Sequence, residues 1–155
     1  MSRARLLLHA CALIAPFLAA LSWSAILMRN DLSLALRQAL LLGAAGALAA
    51  EIAAWIGWRA IERRAAAAHN GWPAGLGMAA ITHLLFGVLF DAMLVVAVGW
   101  RESMGTGHVS DLVLQSFFFA LASVLALGAA TFPLTALLAQ WITALRRTEI
   151  IHAAR

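Results

Sequence analysis

Three ionisable residues lie deep inside the apolar runs of this 155-residue sequence: Glu51, His83 and Asp91. An ionisable side chain within hydrocarbon costs at least a few kcal/mol, so it normally faces neighbouring helices or a wet cavity. Carboxylates and imidazoles are also the groups from which proton relays are built. The three residues therefore form a candidate intramembrane site for a proton, for a ligand or for helix contact.

The spacing of these residues suggests how they are arranged across a bilayer. Counted from the predicted helix centres at about 1.5 Å per residue, Glu51 lies about 4 Å and His83 about 6 Å to one side of the midplane, and Asp91 about 6 Å to the other. His83, Gly87 and Asp91 follow at four-residue steps and share one helix face. We expect Glu51 to pair with His83, with Asp91 extending a ladder of protonatable groups.

The elements that position these residues are four long apolar runs. The chain is 64% hydrophobic and only 12% charged, whereas soluble domains are roughly 25% charged. Residues 6–28, 39–58, 74–100 and 112–142 each reach the length of about 20 residues that crosses a bilayer. The sequence predicts an all-α polytopic membrane protein, with a bundle of four transmembrane helices forming one domain over residues 1–155.

The arginines predict the orientation of this bundle, because short arginine-rich segments stay in the cytoplasm. Eight lie on the side of the termini and the middle connector and three on the other: Arg3, Arg5, Arg59, Arg63, Arg64, Arg146, Arg147 and Arg155 against Arg29, Arg37 and Arg101. Both termini are therefore predicted to be cytoplasmic, in a bacterial-type inner membrane.

A rival interpretation treats residues 1–24 as a cleaved secretory signal, which would leave three helices and an outside N-terminus. His9 within the apolar stretch, and the continuation of that stretch to Met28, favour an uncleaved first helix.

Small residues at three- and four-residue spacing predict the internal helix faces, because they let backbones approach closely in lipid. The second helix carries Gly43, Ala47, Ala50, Ala54 and Gly57, and the fourth carries Ser116, Ala120, Ser123 and Ala130. Pro16 and Pro133 are predicted to kink their helices. His9 lies about one turn past Arg5 and is interpreted as a residue that reaches the headgroups.

The opening Arg5-Leu6-Leu7-Leu8-His9-Ala10 resembles the start of the proteobacterial antimicrobial compound efflux family. That family has four helices in two hairpins and a similar length. Its pattern continues to an essential acidic residue five positions after the histidine, and this position is Ile14 here. The resemblance therefore does not bring the proton-coupling site of the family to this chain.

Several kinds of chemistry find no support in the sequence. Cys11 is the single cysteine, which excludes an internal disulfide or a thiolate cluster. His9 and His83 are the helix-borne candidates for haem, but their predicted depths differ by about 6 Å. There is no phosphate-binding loop, nucleophile elbow or paired-histidine metal motif. We expect no enzyme activity, cofactor, metal or nucleic acid.

Two functions stay open on the sequence. The first is a small non-enzymatic protein of the inner membrane that acts by helix association, with itself or with a larger membrane complex. The alternative is a small proton-coupled transporter or efflux protein that works as an oligomer, with Glu51, His83 and Asp91 in its pathway.

Overall fold

The computed structural model of the protein describes residues 2–28, 30–104 and 107–154, and these residues are helical apart from short connectors. The helices are α1 (Arg3–Leu27), α2 (Leu32–Ala66), α3 (Trp72–Val98), the short α4 (Trp100–Met104) and α5 (Val109–Ala153). By length and composition, α1, α2, α3 and α5 can each cross a membrane. Arg29 and Arg155, which contribute to the predicted orientation, lie outside the described residues.

Each predicted apolar run falls mainly on one long helix, but α2 and α5 continue well beyond their runs, and the third run, predicted over residues 74–100, is interrupted after Val98. The α2 helix begins at Leu32 because the side chain of Asp31 accepts a hydrogen bond from the backbone N–H of Leu34 at 3.0 Å and caps the first turn. Its end at Ala66 follows a stretch of alanine, arginine and glutamate, which are strong helix formers. Gly99, with a φ of +89°, follows α3 and separates it from α4.

The long helices pack in the order α1, α2, α3, α5, and α1 and α5 make far fewer contacts with each other than with their other neighbours. The bundle is therefore an arc with α1 and α5 at its two edges. We call the end of the bundle that carries residues 2–5, 62–71 and 140–154 the terminal end. There the carboxylate of Glu149 on α5 accepts a hydrogen bond from the backbone N–H of Ala4 on α1 at 3.1 Å.

The hydrophobic core lies in the half of the bundle nearer the terminal end, and all four long helices contribute to it. Its buried members are Ala4, Leu8, Ala53, Ala54, Trp58, Ile61, Ala74, Met78, Ala139 and Ile142. Half of them are alanines, which let the backbones approach closely. At Gly75, for example, an added Cβ would overlap the carbonyl oxygen of Thr135.

The predicted small-residue faces are only partly internal. On α2, Gly43, Ala47, Ala54 and Gly57 are buried, and Ala50 is half-buried. On α5, Ala120 and Ser123 are buried and Ser116 is half-buried, but Ala130 is exposed. The prediction for Ala130 is wrong, because no neighbouring helix covers this side chain.

Candidate functional site

Glu51 on α2 lies against His9 on α1. Nδ1 of His9 is 2.7 Å from Oε1 of Glu51, although the two groups are not aligned as a hydrogen bond. Nε2 of the same ring accepts a long hydrogen bond of 3.5 Å from Nε of Arg5. A ring that accepts at Nε2 carries its proton at Nδ1, the ring nitrogen that lies beside the carboxylate. The result is a polar row from Arg5 through His9 to Glu51.

This arrangement corrects two expectations. Glu51 does not pair with His83, because its contact is with α1, whereas His83 faces α5. His9 is not simply a residue that reaches the headgroups, since its side chain is only 12% exposed and lies on Glu51. The depth estimates place residues along the membrane normal but carry no information on which helix faces which.

His83 on α3 bridges two hydroxyl groups of α5. Its Nδ1 lies 2.8 Å from Oγ of Ser123, and its Nε2 lies 2.7 Å from Oγ1 of Thr131. The hydroxyl of Ser123 donates its proton to the carbonyl of Ala120, so it accepts from the ring. The network therefore favours the imidazole with its proton on Nδ1 and with Nε2 accepting from Thr131. The ring also stacks on Phe132 at 5.6 Å between centroids.

His83 bridges two hydroxyls that are well separated along α5. Ser123 and Thr131 are eight residues apart, a rise of about 12 Å in a straight helix. The two hydrogen bonds, the imidazole ring and the two side chains together span this separation. Pro133 lies inside α5 and leaves the carbonyl of Ala129 without its helical donor.

Asp91 joins α3 to α5 nearer the other end of the bundle. It is only 1% exposed. Its Oδ2 accepts a hydrogen bond of 2.8 Å from the hydroxyl of Ser116, and its Oδ1 is buried without a partner among the described residues. One turn before Asp91 on α3, Gly87 packs directly on the backbone of α5, where an added Cβ would overlap the carbonyl oxygen of Ser116. The close approach of the helices brings the carboxyl group to the serine.

A cluster of charges ties the helices together at the terminal end. The guanidinium of Arg146 on α5 donates to Glu62 on α2 at 3.1 Å and to Glu149 at 3.2 Å. It also lies over the ring of Trp58, 6.0 Å from the centroid, and Arg5 lies 5.8 Å from the same centroid. The indole is therefore held between two cations and is only 5% exposed.

The side chain of Glu149 on α5 lies at the N-terminal end of α1, where backbone N–H groups lack partners within the helix. Burial acts to raise the pKa of Glu149. This effect is outweighed by the hydrogen bond from the N–H of Ala4, by the Arg146 guanidinium and by the N–H of Arg3. Together they hold the pKa of Glu149 below 4.5. The carboxylate therefore binds α1 to α5 in its charged form.

A narrow groove of about 260 Å³ separates α1 from α5 beyond this cluster. Alanines of α1 line one side, and His83, Thr131 and Thr135 line part of the other. Glu51 and Asp91 do not line it. His83 is the predicted site residue that borders this groove. Among the described residues, no hydrogen bond or ion pair joins Glu51, His83 and Asp91 to one another.

Sequence reasoning does not find the partners of these residues. His9 carries a signal, because it is a histidine within an apolar stretch. Ser123 stands out only as a small residue, and nothing in the pattern singles out Thr131 or Glu149. Serine and threonine hydroxyls in such helices commonly bond to their own backbone, so their presence alone does not identify an interhelical partner.

The fold and the site define an all-helical protein with four helices apolar and long enough to cross a membrane, whose polar side chains at that depth contact neighbouring helices. Among the described residues, no three His, Cys, Asp or Glu side chains lie close enough to hold a metal ion. Comparison with protein-family models, curated proteins and solved structures finds no match for the chain.

Proposed function

We propose that the protein is a non-enzymatic integral protein of a bacterial inner membrane, with both termini in the cytoplasm, which acts by helix association with itself or with a larger membrane complex. The observation that carries the proposal is the use of its polar side chains. Glu51, His83 and Asp91 each contact another helix of the same chain. Such contacts fix how helices pack in lipid, and they leave the outward faces for partners.

One outward face has the features of a helix-docking surface. The α5 outer groove, which we define by Phe118, Leu121, Ala122, Leu125 and Ala126, is a shallow depression on the exposed side of α5. Ala122 and Ala126 are four residues apart, and this small-residue spacing lets a second helix approach closely. Its large apolar side chains are exposed, Leu125 to 76%. The groove supports docking of an apolar helix from a second copy or another membrane protein.

The charge distribution supports the proposed orientation. The terminal end gathers Arg5, Arg63, Arg64, Arg146 and Arg147, and arginine-rich ends stay on the cytoplasmic side. The connectors between the helices are short, so the described chain has little mass outside the helices with which to bind a soluble substrate. Association through helix faces is the activity that such a chain can offer.

The test is the size of the assembly in native membranes and in mild detergent. Chemical cross-linking followed by blue-native electrophoresis should give a complex larger than one chain. Ala126→Ile fills the α5 outer groove and should shift the protein to the monomer. Ala92→Ile, at an exposed alanine of α3, should leave the complex unchanged. A wild-type protein that is monomeric by both methods would contradict the proposal.

The second candidate is an oligomeric proton-coupled transporter with Glu51, His83 and Asp91 in its pathway. The groove beside His83 is the observation that favours it, since a transporter needs a space at membrane depth. Its test is substrate-linked proton movement in proteoliposomes. If Glu51→Gln, Asp91→Asn double variants move protons with substrate as the wild type does, those carboxylates are not in a pathway and the helix-contact role is favoured.

A further inference from the structure

The groove between α1 and α5 has the shape of a single extended chain. It follows α1 from Leu8 to Ala19 and the antiparallel α5 from Leu138 back to Leu127. Eleven residues of helix span about 16 Å. The groove is elongated along the two helices, and most of the residues that line it are apolar. This shape suits a hydrocarbon chain that lies along the groove.

The groove opens toward the surroundings of the bundle. α1 and α5 are held together at the terminal end by the contact of Glu149 with Ala4, and they make few other contacts. Ala15, on the rim, is exposed. In a bilayer this side faces lipid chains, so an occupant would enter laterally from the membrane rather than from water.

The wall that faces α1 is not uniformly apolar. Thr82 on α3 donates its hydroxyl proton to the carbonyl of Met78, and the hydroxyl of Thr131 is engaged by His83. Thr135 follows one turn after Thr131 on α5 and also lines the groove. No hydrogen bond within the described residues engages its hydroxyl. That hydroxyl is therefore free to bond to a ligand that enters the groove.

The two threonines favour a hydroxyl group on the ligand. Thr131 donates to His83, so its oxygen is left to accept, whereas Thr135 can donate or accept. A ligand hydroxyl can donate to Thr131 and accept from Thr135 at once, and a carbonyl can only accept. The lining side chains include no arginine, lysine or carboxylate, so nothing there compensates a charged head group.

We propose that the groove binds a single-chain, uncharged lipid of the long-chain alcohol class. Its hydroxyl lies between Thr131 and Thr135, the first part of its chain follows α1 toward Leu127, and the rest of the chain extends into the surrounding lipid. This site is separate from the α5 outer groove, so the two proposals can fail independently.

Photolabelling tests the site directly. The protein is placed in phosphatidylcholine nanodiscs with a hexadecanol that carries a diazirine a few carbons from its hydroxyl, and labelled peptides are mapped by mass spectrometry. Label should concentrate in residues 8–19 and 127–138. Unlabelled hexadecanol should displace it about fivefold better than hexadecane, as expected for one hydrogen bond. Label spread evenly over the lipid-facing helices, or equal competition by alcohol and alkane, would overturn the proposal.

Two pairs of variants separate the shape of the groove from its polar wall. Ala15→Phe closes the rim and should abolish specific labelling, whereas Ile14→Phe, at a 57% exposed neighbour outside the groove, should not. Thr135→Val keeps the side-chain volume and should remove the advantage of the alcohol over the alkane. Thr82→Val removes a hydroxyl that is already hydrogen-bonded within α3, so this variant should keep the advantage of the alcohol over the alkane. Identical behaviour within either pair would contradict the proposal.

The reactivity of Cys11 tests occupation of the groove in the wild-type protein. It is the single cysteine of the chain and lines the groove. Hexadecanol should slow its alkylation by N-ethylmaleimide in nanodiscs several-fold, and hexadecane should slow it less. Alkylation at the same rate with and without hexadecanol would show that the groove does not hold the alcohol.

Discussion

At the scale of single residues, a polar side chain within an apolar helix bundle has little water to bond to, so it bonds to another polar group of the protein. In this bundle His83 finds two hydroxyls on α5, Asp91 finds Ser116, and Glu51 lies against His9. These contacts join α1 to α2 and α3 to α5. They do not form a continuous row of polar groups along the bundle.

A double-mutant cycle distinguishes the observed pairing from the predicted one. Substituting His9→Ala and Glu51→Gln, singly and together, should give a coupling free energy of about 0.5–2 kcal/mol, the range measured for polar contacts between membrane helices. The cycle between Glu51→Gln and His83→Ala should give a coupling near zero. The measurement is the free energy of unfolding in detergent–lipid bicelles. Coupling of Glu51 to His83 rather than to His9 would show that the arrangement is wrong.

Two glycines on α3 provide a matched test of close helix packing. Gly87→Ala places a methyl group on the backbone of α5 and should destabilise the protein by about 1–3 kcal/mol, the usual cost of overpacking. A methyl group added at Gly77 would meet nothing within 4 Å. Gly77→Ala should therefore be neutral or slightly stabilising, because alanine favours helix more than glycine does. The check is unfolding of both variants under the same conditions, and equal effects would contradict the packing.

The identity of the polar residues could be predicted from the sequence, and their partners could not. Glu51, His83 and Asp91 stand out because ionisable groups are rare within apolar runs. Partner choice depends on how each helix is rotated about its own axis. The sequence places Ser123 and Thr131 about two turns apart on one helix, but it does not predict that one imidazole ring bonds to both hydroxyls.

At the scale of helices, the start of α1 depends on a residue at the far end of the chain. Glu149 accepts the N–H of Ala4 in its charged form, and its lowered pKa means that this contribution is complete above the unfolded value of 4.5. It is lost as the pH falls through the lower folded value. The contact between α1 and α5 should therefore weaken in acid.

Comparison of wild type with Glu149→Gln measures this dependence. The difference in the free energy of unfolding should be largest near neutral pH and should shrink as the pH drops below 4.5. The pKa of Asp31 is also lowered, by hydrogen bonds from the Leu34 N–H and the Ser33 hydroxyl, but Asp31 titrates in both proteins and cancels. A constant difference across this pH range would show that the Glu149 carboxylate does not hold α1.

The position of each long helix follows from its apolar run, whereas its ends follow from local chemistry. Residues 59–66 extend α2 because alanine, arginine and glutamate continue a helix in water as readily as near a membrane. Apolar content marks where lipid contact is expected. Helix propensity and capping decide where the backbone stops.

At the scale of the whole molecule, the central claim is that four helices cross the membrane with both ends of the chain in the cytoplasm. The apolar runs and the arginine count carry this prediction, and the structure adds that both ends of the chain meet at one end of the bundle. The depths of Glu51, His83 and Asp91, the lateral opening of the groove and the outward face of α5 all depend on it.

Protease accessibility of terminal tags tests that claim most directly. Tags fused before residue 1 and after Arg155 should resist protease added to intact spheroplasts and should be cleaved once the membrane is opened. Digestion of a periplasmic marker in the same sample shows that the protease is active. Cleavage of the C-terminal tag in intact spheroplasts would place that end outside and would contradict the proposed arrangement in the membrane.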